Sequence, residues 1–244
     1  MTDAISDDVR DVRDALARWE DGDVLAVNRR HGDDHAVNLT KLRAVAKEAG
    51  AGRKPAVKHE LGMALWATGD SACRLAATLL LRPKSLDADT LDGMLREAGT
   101  PKVHTWLLNY VVMKGGCVDG LRARWFDDAD PAAASAGWAL TTQRLVKRGD
   151  EMSVEDMEDI SGLLDIIEAT MADSEDRLQW AQNECLAQIG IHVPQFRDRA
   201  VDIGERLGVL KDYPTPKNCT SPYAPAWIAE MVSRQEGSAS GMTQ

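Results

Sequence analysis

The sequence has no apolar run that approaches the ~20 residues needed to cross a bilayer. Its first residues are acidic, whereas a secretory signal peptide is basic and then apolar. These two absences predict a cytoplasmic protein without a membrane partner.

Cysteine is scarce. The four cysteines form no Cys-x-x-Cys pair, and a chain of 244 residues can bury a core without cross-links, so we expect reduced packing residues. Nucleotide-binding, hydrolase and zinc motifs are missing as well, and the sequence therefore predicts no cofactor. His31 and His35 have metal-ligand spacing, but Gly32 interrupts the helix that would orient them, so we expect no metal site.

Positive charge is in deficit, with 29 Lys and Arg against 39 Asp and Glu and a formal net charge of −10. Such a surface repels a phosphate backbone on average, so any DNA-binding face must be local. Basic residues do cluster near predicted helix ends. They either form a rim that grips phosphates or simply keep the protein soluble. The clustered residues are Arg53, Lys54, Lys58, Arg82, Lys84, Arg122 and Arg124.

Strict alternation of apolar and polar residues, which is typical of strands, is also absent. Apolar residues instead recur every three or four positions, as in Met157, Ile160, Leu164, Ile167 and Met171. Helices of about 10 to 18 residues joined by short turns are typical of stacked helix pairs. The sequence therefore predicts an all-α fold, namely a HEAT/armadillo-like α-α superhelix, a solenoid of antiparallel helix pairs.

Capping residues mark where several helices begin. Thr100 and Asp130 each precede a proline, and Ser153 with Asp156 forms a capping-box pattern. Leucines and isoleucines at the centre of the apolar stripes should be buried between helices. These residues are Leu61, Leu79, Ile160, Leu164, Ile167 and Leu186.

We expect one HEAT-like helical domain over residues 1–236. Residues 237–244 are small, polar and unpatterned, which predicts a disordered tail. Three prolines forbid a helix between Lys211 and Pro222, so this stretch should be a loop before a last helix from about Tyr223 to Arg234.

Several runs of residues point to a known family. Residues 59–69 read His-Glu-Leu-Gly-Met-Ala-Leu-Trp-Ala-Thr-Gly, and they are followed by Arg-Leu-Ala at 74–76 and three leucines at 79–81. Later runs extend from Gln179 to Ile191 and from Cys219 to Ile228. Over roughly residues 37–234, the sequence resembles a divergent member of the AlkC/AlkD-like DNA-alkylation-repair family, the HEAT-like repeat DNA glycosylase superfamily.

This resemblance implies a C-shaped solenoid whose concave face holds duplex DNA, and whose active members hydrolyse the N-glycosidic bond of cationic alkylated purines. A carboxylate there stabilises the oxocarbenium sugar, and tryptophan faces contact the lesion. Active members carry Trp and Asp at positions that match Pro101 and Thr105 here. The family's phosphate-contacting arginine matches Ser135, and its second aromatic residue matches Glu184. The catalytic residues are therefore unassigned, with Glu184 as the candidate carboxylate.

Tryptophans recur about once per successive helix pair, and they either line a groove as aromatic platforms or pack in the core. They are Trp66, Trp106, Trp138 and Trp180. Polar residues beside them are candidates for hydrogen bonding or acid-base chemistry, or they face solvent. These polar residues are His104, Asn109, Asn183 and Glu184.

The sequence thus predicts a DNA-alkylation-repair-family protein that binds damaged or structured DNA in its concave groove, with weak or no hydrolysis of alkylated purines. The alternative is a non-catalytic helical scaffold that binds a protein partner. A basic strip along the groove favours DNA, and an acidic or apolar groove favours a protein.

Overall fold

The computed structural model describes residues 3–148 and 153–241. In these ranges the chain forms thirteen α-helices, and the one pairing of extended backbone is an isolated bridge between Glu20 and Val37. The predicted all-α class is confirmed. The helices are α1 (Asp3–Ala17), α2 (Gly22–Arg29), α3 (Leu39–Gly50), α4 (Pro55–Trp66), α5 (Ser71–Leu80), α6 (Ala88–Glu97), α7 (Pro101–Trp106), α8 (Val118–Trp125), α9 (Pro131–Arg148), α10 (Val154–Thr170), α11 (Asp176–His192), α12 (Arg197–Leu207) and α13 (Ala224–Gly241).

The predicted capping residues begin the helices expected of them. Ser153 and Asp156 form a reciprocal capping box at α10, in which the Ser153 hydroxyl accepts from the Asp156 amide at 3.2 Å and the Asp156 carboxylate accepts from the Ser153 amide at 2.9 Å. The Thr100 hydroxyl accepts from the Val103 amide at α7, and the Asp130 carboxylate accepts from the Ala132 amide at α9. These bonds satisfy amides that have no partner within the first turn.

The chain divides into two compact units, Met1–Leu121 and Arg122–Gln244. In the first unit, α5 is the central helix and contacts α1, α3, α4 and α7. Leu61 of α4 is fully buried, as predicted, whereas Leu79 is only half-buried. The prediction for Leu79 was wrong because α5 ends at Leu80, and Leu80 and Leu81 are the residues buried there.

In the second unit, α11 is the central helix and contacts α9, α10, α12 and α13. Its core includes Ile160, Leu164, Ile167 and Leu186, all buried as predicted. Close packing depends on glycine at Gly137, because a Cβ atom there would lie 2.5 Å from the Phe126 backbone nitrogen.

The predicted loop between Lys211 and Pro222 is confirmed, since no residue of that stretch is helical. The last helix, α13, continues beyond Arg234 to Gly241, so residues 237–241 of the expected tail are helical. Residues 242–244 of that tail lie outside the described residues. The single domain over residues 1–236 stays a prediction.

The four cysteines are free thiols, and two of them, Cys73 and Cys185, are buried. Burial raises the pKa of each of these two thiols to about 12. Both are therefore protonated packing residues at neutral pH. Among the described helices, none is both long and apolar enough to cross a membrane.

Candidate functional site

The helix that resembles the catalytic helix of active glycosylases is short and continues into a different helix type. Thr100 caps α7, which turns into a π-helical segment at Leu107–Val111. Asp33 is buried, and its carboxylate accepts from the Lys102 amide at 2.7 Å, which fixes the start of α7. Thr105 and Asn109 are exposed, four residues apart. The segment therefore presents a hydroxyl and an amide to solvent.

Two aromatic rings and two cations form an array along this segment, which we call the cation–aromatic ladder. The rings of Trp106 and Tyr110 meet edge to face with centroids 5.1 Å apart. The Arg43 guanidinium lies 4.7 Å from the Trp106 centroid, and the Lys114 ammonium lies 5.2 Å from the Tyr110 centroid. Trp106 is buried, whereas Arg43 and Lys114 are exposed. The rings therefore hold two positive charges at the surface of the first unit.

The charges of the ladder are not neutralised by nearby carboxylates. Within the described part of the chain, neither Arg43 nor Lys114 takes part in an ion pair. The sequence from Pro101 to Val118 contains no Asp or Glu. Asp33, the carboxylate that contacts the start of α7, is buried and already caps the helix. Arg43 and Lys114 therefore remain exposed cations without an ion-pair partner in the described ranges, although the chain is acidic as a whole.

Three of the predicted tryptophan candidates are buried. Trp66 is only 3% exposed, and its indole N–H donates to the Glu97 carboxylate at 2.9 Å. Trp138 packs on Phe126 with ring centroids 4.7 Å apart. Trp106 is buried within the ladder. Burial and these contacts support the packing interpretation for all three rings.

Two polar candidates are also buried. Asn183 donates from its side-chain amide to the Pro222 carbonyl at 2.8 Å and so fastens the loop before α13 to α11. His104 is 5% exposed on α7. Neither side chain is presented to a ligand at the surface, whereas Asn109 is.

The basic residues predicted for a rim have different environments. Arg53 forms a two-point ion pair with Asp8, with nitrogen–oxygen distances of 2.5 and 2.7 Å. Lys58 is half-buried, and Lys54 is exposed immediately before α4. The Arg53 charge is therefore largely neutralised, and Lys54 is the most accessible cation of this cluster.

Arg122 and Arg124 lie on α8 but differ in exposure. Arg124 is exposed, whereas Arg122 lines a cavity of about 450 Å³ with Arg144 and Arg148. The Arg122 Nε atom is enclosed and has no hydrogen-bond partner among the described residues. Asp156 and two further acidic residues line the same cavity, so its charges are mixed.

On the second unit, α11 exposes Trp180 and Glu184, which lie one turn apart. Trp180 is 38% exposed, and its ring meets Tyr213 edge to face with centroids 5.1 Å apart. Glu184 also has an exposed surface. Protein atoms nevertheless surround its carboxyl group closely enough for desolvation to raise the pKa above the usual range. A carboxyl group with a raised pKa can exchange protons, which is why Glu184 remains the candidate carboxylate.

The two histidines with metal-ligand spacing, His31 and His35, differ in burial. His35 is buried and next to the Asn28 side chain, whereas His31 is exposed. In residues 3–148 and 153–241, no group of three His, Cys, Asp or Glu side chains is placed to hold a metal ion.

Sequence reasoning did not identify Arg43, Tyr110, Lys114 or Tyr213. The four-residue spacing of Trp106 and Tyr110 is a local signal that could have indicated their pairing. Arg43 and Tyr213 come from distant parts of the chain, and no local pattern predicts their contacts with Trp106 and Trp180.

Comparisons with known proteins agree with this all-helical fold. The family model described as DNA alkylation repair enzyme matches residues 12–228. A solved structure superposes with a TM-score of 0.73 at 19% sequence identity, covering 93% of this chain and 94% of the other. That protein is described as one of a new family related to the HEAT-like repeat DNA glycosylases with affinity for branched DNA structures. No curated protein matches the chain. The likeness confirms the predicted HEAT-like fold, and because the family model spans most of the sequence, the protein belongs to the DNA alkylation repair enzyme family.

Proposed function

We propose that the protein binds damaged or structured DNA through the cation–aromatic ladder of the first unit, and that it does not excise alkylated purines at the rates of active glycosylases. The ladder is the observation that carries this proposal. It supplies two exposed cations that lie against aromatic rings and form no ion pair within the described part of the chain.

The ladder suits a phosphate backbone for a physical reason. A guanidinium or ammonium group held over an aromatic ring loses little further freedom when it binds an anion, and the side chains of Arg43 and Lys114 are both exposed to solvent. Each phosphate that a cation neutralises releases counterions, which adds about 0.9 to the slope of log K against log salt concentration. Binding should therefore be strongly salt-dependent.

The same face is unsuited to glycosidic hydrolysis. An oxocarbenium-like transition state is stabilised by a nearby carboxylate, but the exposed positions of α7 and its π-helical continuation are Thr105 and Asn109, with Lys102 and Lys114 in the same segment. Loss of one preorganised electrostatic group removes about 3 to 4 kcal/mol of transition-state stabilisation. That loss corresponds to a factor of about 100 to 1000 in rate.

The family and the solved structure support DNA as the ligand. The structural relative is a protein with affinity for branched DNA, so a chain with this fold can bind DNA. The contacts of the ladder would be made to phosphates, so they would be independent of base sequence.

The proposal is tested by measuring DNA affinity by fluorescence anisotropy over a series of salt concentrations. The double variant Arg43→Ala/Lys114→Ala should bind more weakly and should lower the salt slope by about 2. The control Arg29→Ala/Arg30→Ala removes the same charge from exposed residues of the same unit that lie over no ring, and it should change the slope little.

Two results would contradict the proposal. One is the absence of DNA binding by the wild-type protein, which would leave the protein-scaffold alternative. The other is an equal loss of affinity in both double variants, which would show that DNA binding depends on the net charge of the protein and not on the ladder.

A further inference from the structure

The second unit carries an exposed pair of aromatic rings that core packing does not explain. Trp180 is 38% exposed and Tyr213 is 42% exposed, and their rings are nearly perpendicular at 87°. The other exposed tryptophan, Trp19, has the Lys41 ammonium 4.0 Å from its ring centroid. Exposing two large rings side by side costs solvation free energy, so such pairs commonly mark binding sites.

The fold holds this pair in place from both sides. Trp180 projects from the first half of α11, the central helix of the second unit. Tyr213 belongs to the loop between Lys211 and Pro222, where its amide donates to the carbonyl of Leu210 at 3.2 Å. The far end of the loop is fastened to α11 by the bond from Asn183 to Pro222. The two rings are therefore positioned before any ligand arrives.

Cations lie close in sequence to both rings. Lys211 and Lys217 are exposed in the same loop as Tyr213, and Arg177 is one turn before Trp180 on α11. Within the described part of the chain, none of these three side chains forms an ion pair. The acidic residues nearest in sequence are Asp176, which directly precedes Arg177, Glu184, which follows Trp180 by four residues, and Asp212 beside Tyr213. The loop therefore offers positive charge for a phosphate backbone beside an aromatic surface for a ring.

We infer that Trp180 and Tyr213 form a stacking site for an unpaired nucleobase of DNA. This inference rests on the proposed function and narrows its substrate class to DNA with unpaired bases, such as a bulge, a fork or a single-stranded branch. In a continuous duplex each base is already stacked on its neighbours and offers no face to a side chain. An unpaired base offers such a face, and any of the four bases can stack on the Trp180 and Tyr213 rings because each base has a π-face.

The hydrogen-bonding groups beside the rings fit a base as well. Glu184 follows Trp180 by one helical turn, so its carboxyl group lies on the same face of α11. An ionised carboxylate accepts from the amino groups on base edges, as Asp and Glu do from cytosine. Stacking supplies the affinity, and Glu184 adds a preference for bases that present N–H donors.

The test compares two labelled DNAs of equal length, a full duplex and the same duplex with a two-base bulge, by fluorescence anisotropy. Wild-type protein should bind the bulged DNA more tightly. Trp180→Ala should lose about 5- to 140-fold in affinity for the bulged DNA, the range expected for one stacked base. Its affinity for the full duplex should stay as in the wild type, because the ladder is intact.

Further variants separate stacking from loss of folding. Trp180→Phe keeps a ring and should retain part of the preference, whereas Tyr213→Ala should reduce it. Trp19→Ala removes the other exposed tryptophan and should change neither affinity. 2-Aminopurine placed in the bulge should be quenched by the wild type and not by Trp180→Ala, since its fluorescence reports stacking directly.

The outcomes distinguish the inference from the proposed function. Equal affinity of Trp180→Ala and wild type for the bulged DNA, with binding intact, overturns the stacking site and leaves the ladder standing. Equal losses on both DNAs overturn it too, because they show no selectivity for unpaired bases. If the wild type binds neither DNA, the proposed function fails and the inference fails with it.

Discussion

Gly137 is the position where a single methyl group should do most damage to the second unit. A Cβ atom there would lie 2.5 Å from Phe126 N, 2.6 Å from Phe126 Cα and 2.7 Å from the Trp125 carbonyl carbon. Optimal carbon contacts are about 3.5 to 4.0 Å apart, so the two segments would have to separate by about 1 Å. The opposing atoms are backbone, and they cannot rotate away as a side-chain end can.

The magnitude follows from two opposing effects. Replacing glycine by alanine inside a helix raises the free energy of unfolding by about 1 kcal/mol. Overpacking lowers it by about 1 to 3 kcal/mol, and a clash with rigid backbone lies at the upper end of this range. Gly137→Ala should therefore lower the free energy of unfolding by about 2 kcal/mol. For a chain of this size, that is a decrease of about 4 to 8 °C in Tm.

A matched control lies on the neighbouring helix. Gly162 is inside α10, and a Cβ atom there would meet nothing within 4 Å. Gly162→Ala should therefore show only the helix-propensity gain, which raises Tm by about 2 to 4 °C. Thermal unfolding followed by circular dichroism measures both. A Gly137→Ala variant as stable as Gly162→Ala would refute the close approach of the two backbones.

Three further outcomes test the core and the titrating groups. Leu164→Ala should lower the free energy of unfolding by about 2 to 5 kcal/mol in a denaturant titration, because Leu164 is fully buried, and a loss under about 1 kcal/mol would contradict its burial. Desolvation raises the pKa of Glu184, so ionised Glu184 destabilises the folded protein. This destabilisation is complete above the raised pKa and absent below the usual value of 4.5. Glu184→Gln should therefore be more stable than wild type at neutral pH, and the difference in the free energy of unfolding should disappear as pH falls through this range. Burial lowers the pKa of His35, so its contribution to stability is complete above pH 6.5 and declines as pH falls from 6.5 through the lowered pKa. The free energy of unfolding of a His35→Gln variant, measured across that pH range, should lack this decline.

The helices were predictable from the sequence because their signals are local. The stripe from Met157 to Met171 and the capping box of Ser153 and Asp156 lie within a few turns of chain, and both are present in α10. Leu79 shows the limit of this reasoning, since the exposure of a residue at a helix end depends on where the chain turns. The extent of α13 was likewise underestimated, because the glycines and serines among residues 237–241 are weak helix formers that still continue the helix.

The candidate site was predictable only in part. Trp180 and Asn109 are exposed, as a binding role requires. Trp66 was an equal candidate, but the ring is buried and its indole N–H donates to Glu97 from a different helix. The ladder depends on Arg43 reaching Trp106 across the first unit. Contacts between residues so far apart in sequence follow from helix packing, and no local spacing encodes them.

We propose that this family member holds DNA without excising its alkylated bases. The most direct measurement incubates the purified protein with methylated duplex DNA, at a concentration that saturates binding by anisotropy, and quantifies released 3-methyladenine and 7-methylguanine over time beside a Glu184→Gln variant. We expect saturated binding, with release of methylated bases at the rate of DNA alone, for both proteins. Release by the wild type at rates like those of active glycosylases would contradict it, and its loss in Glu184→Gln would identify Glu184 as the catalytic carboxylate.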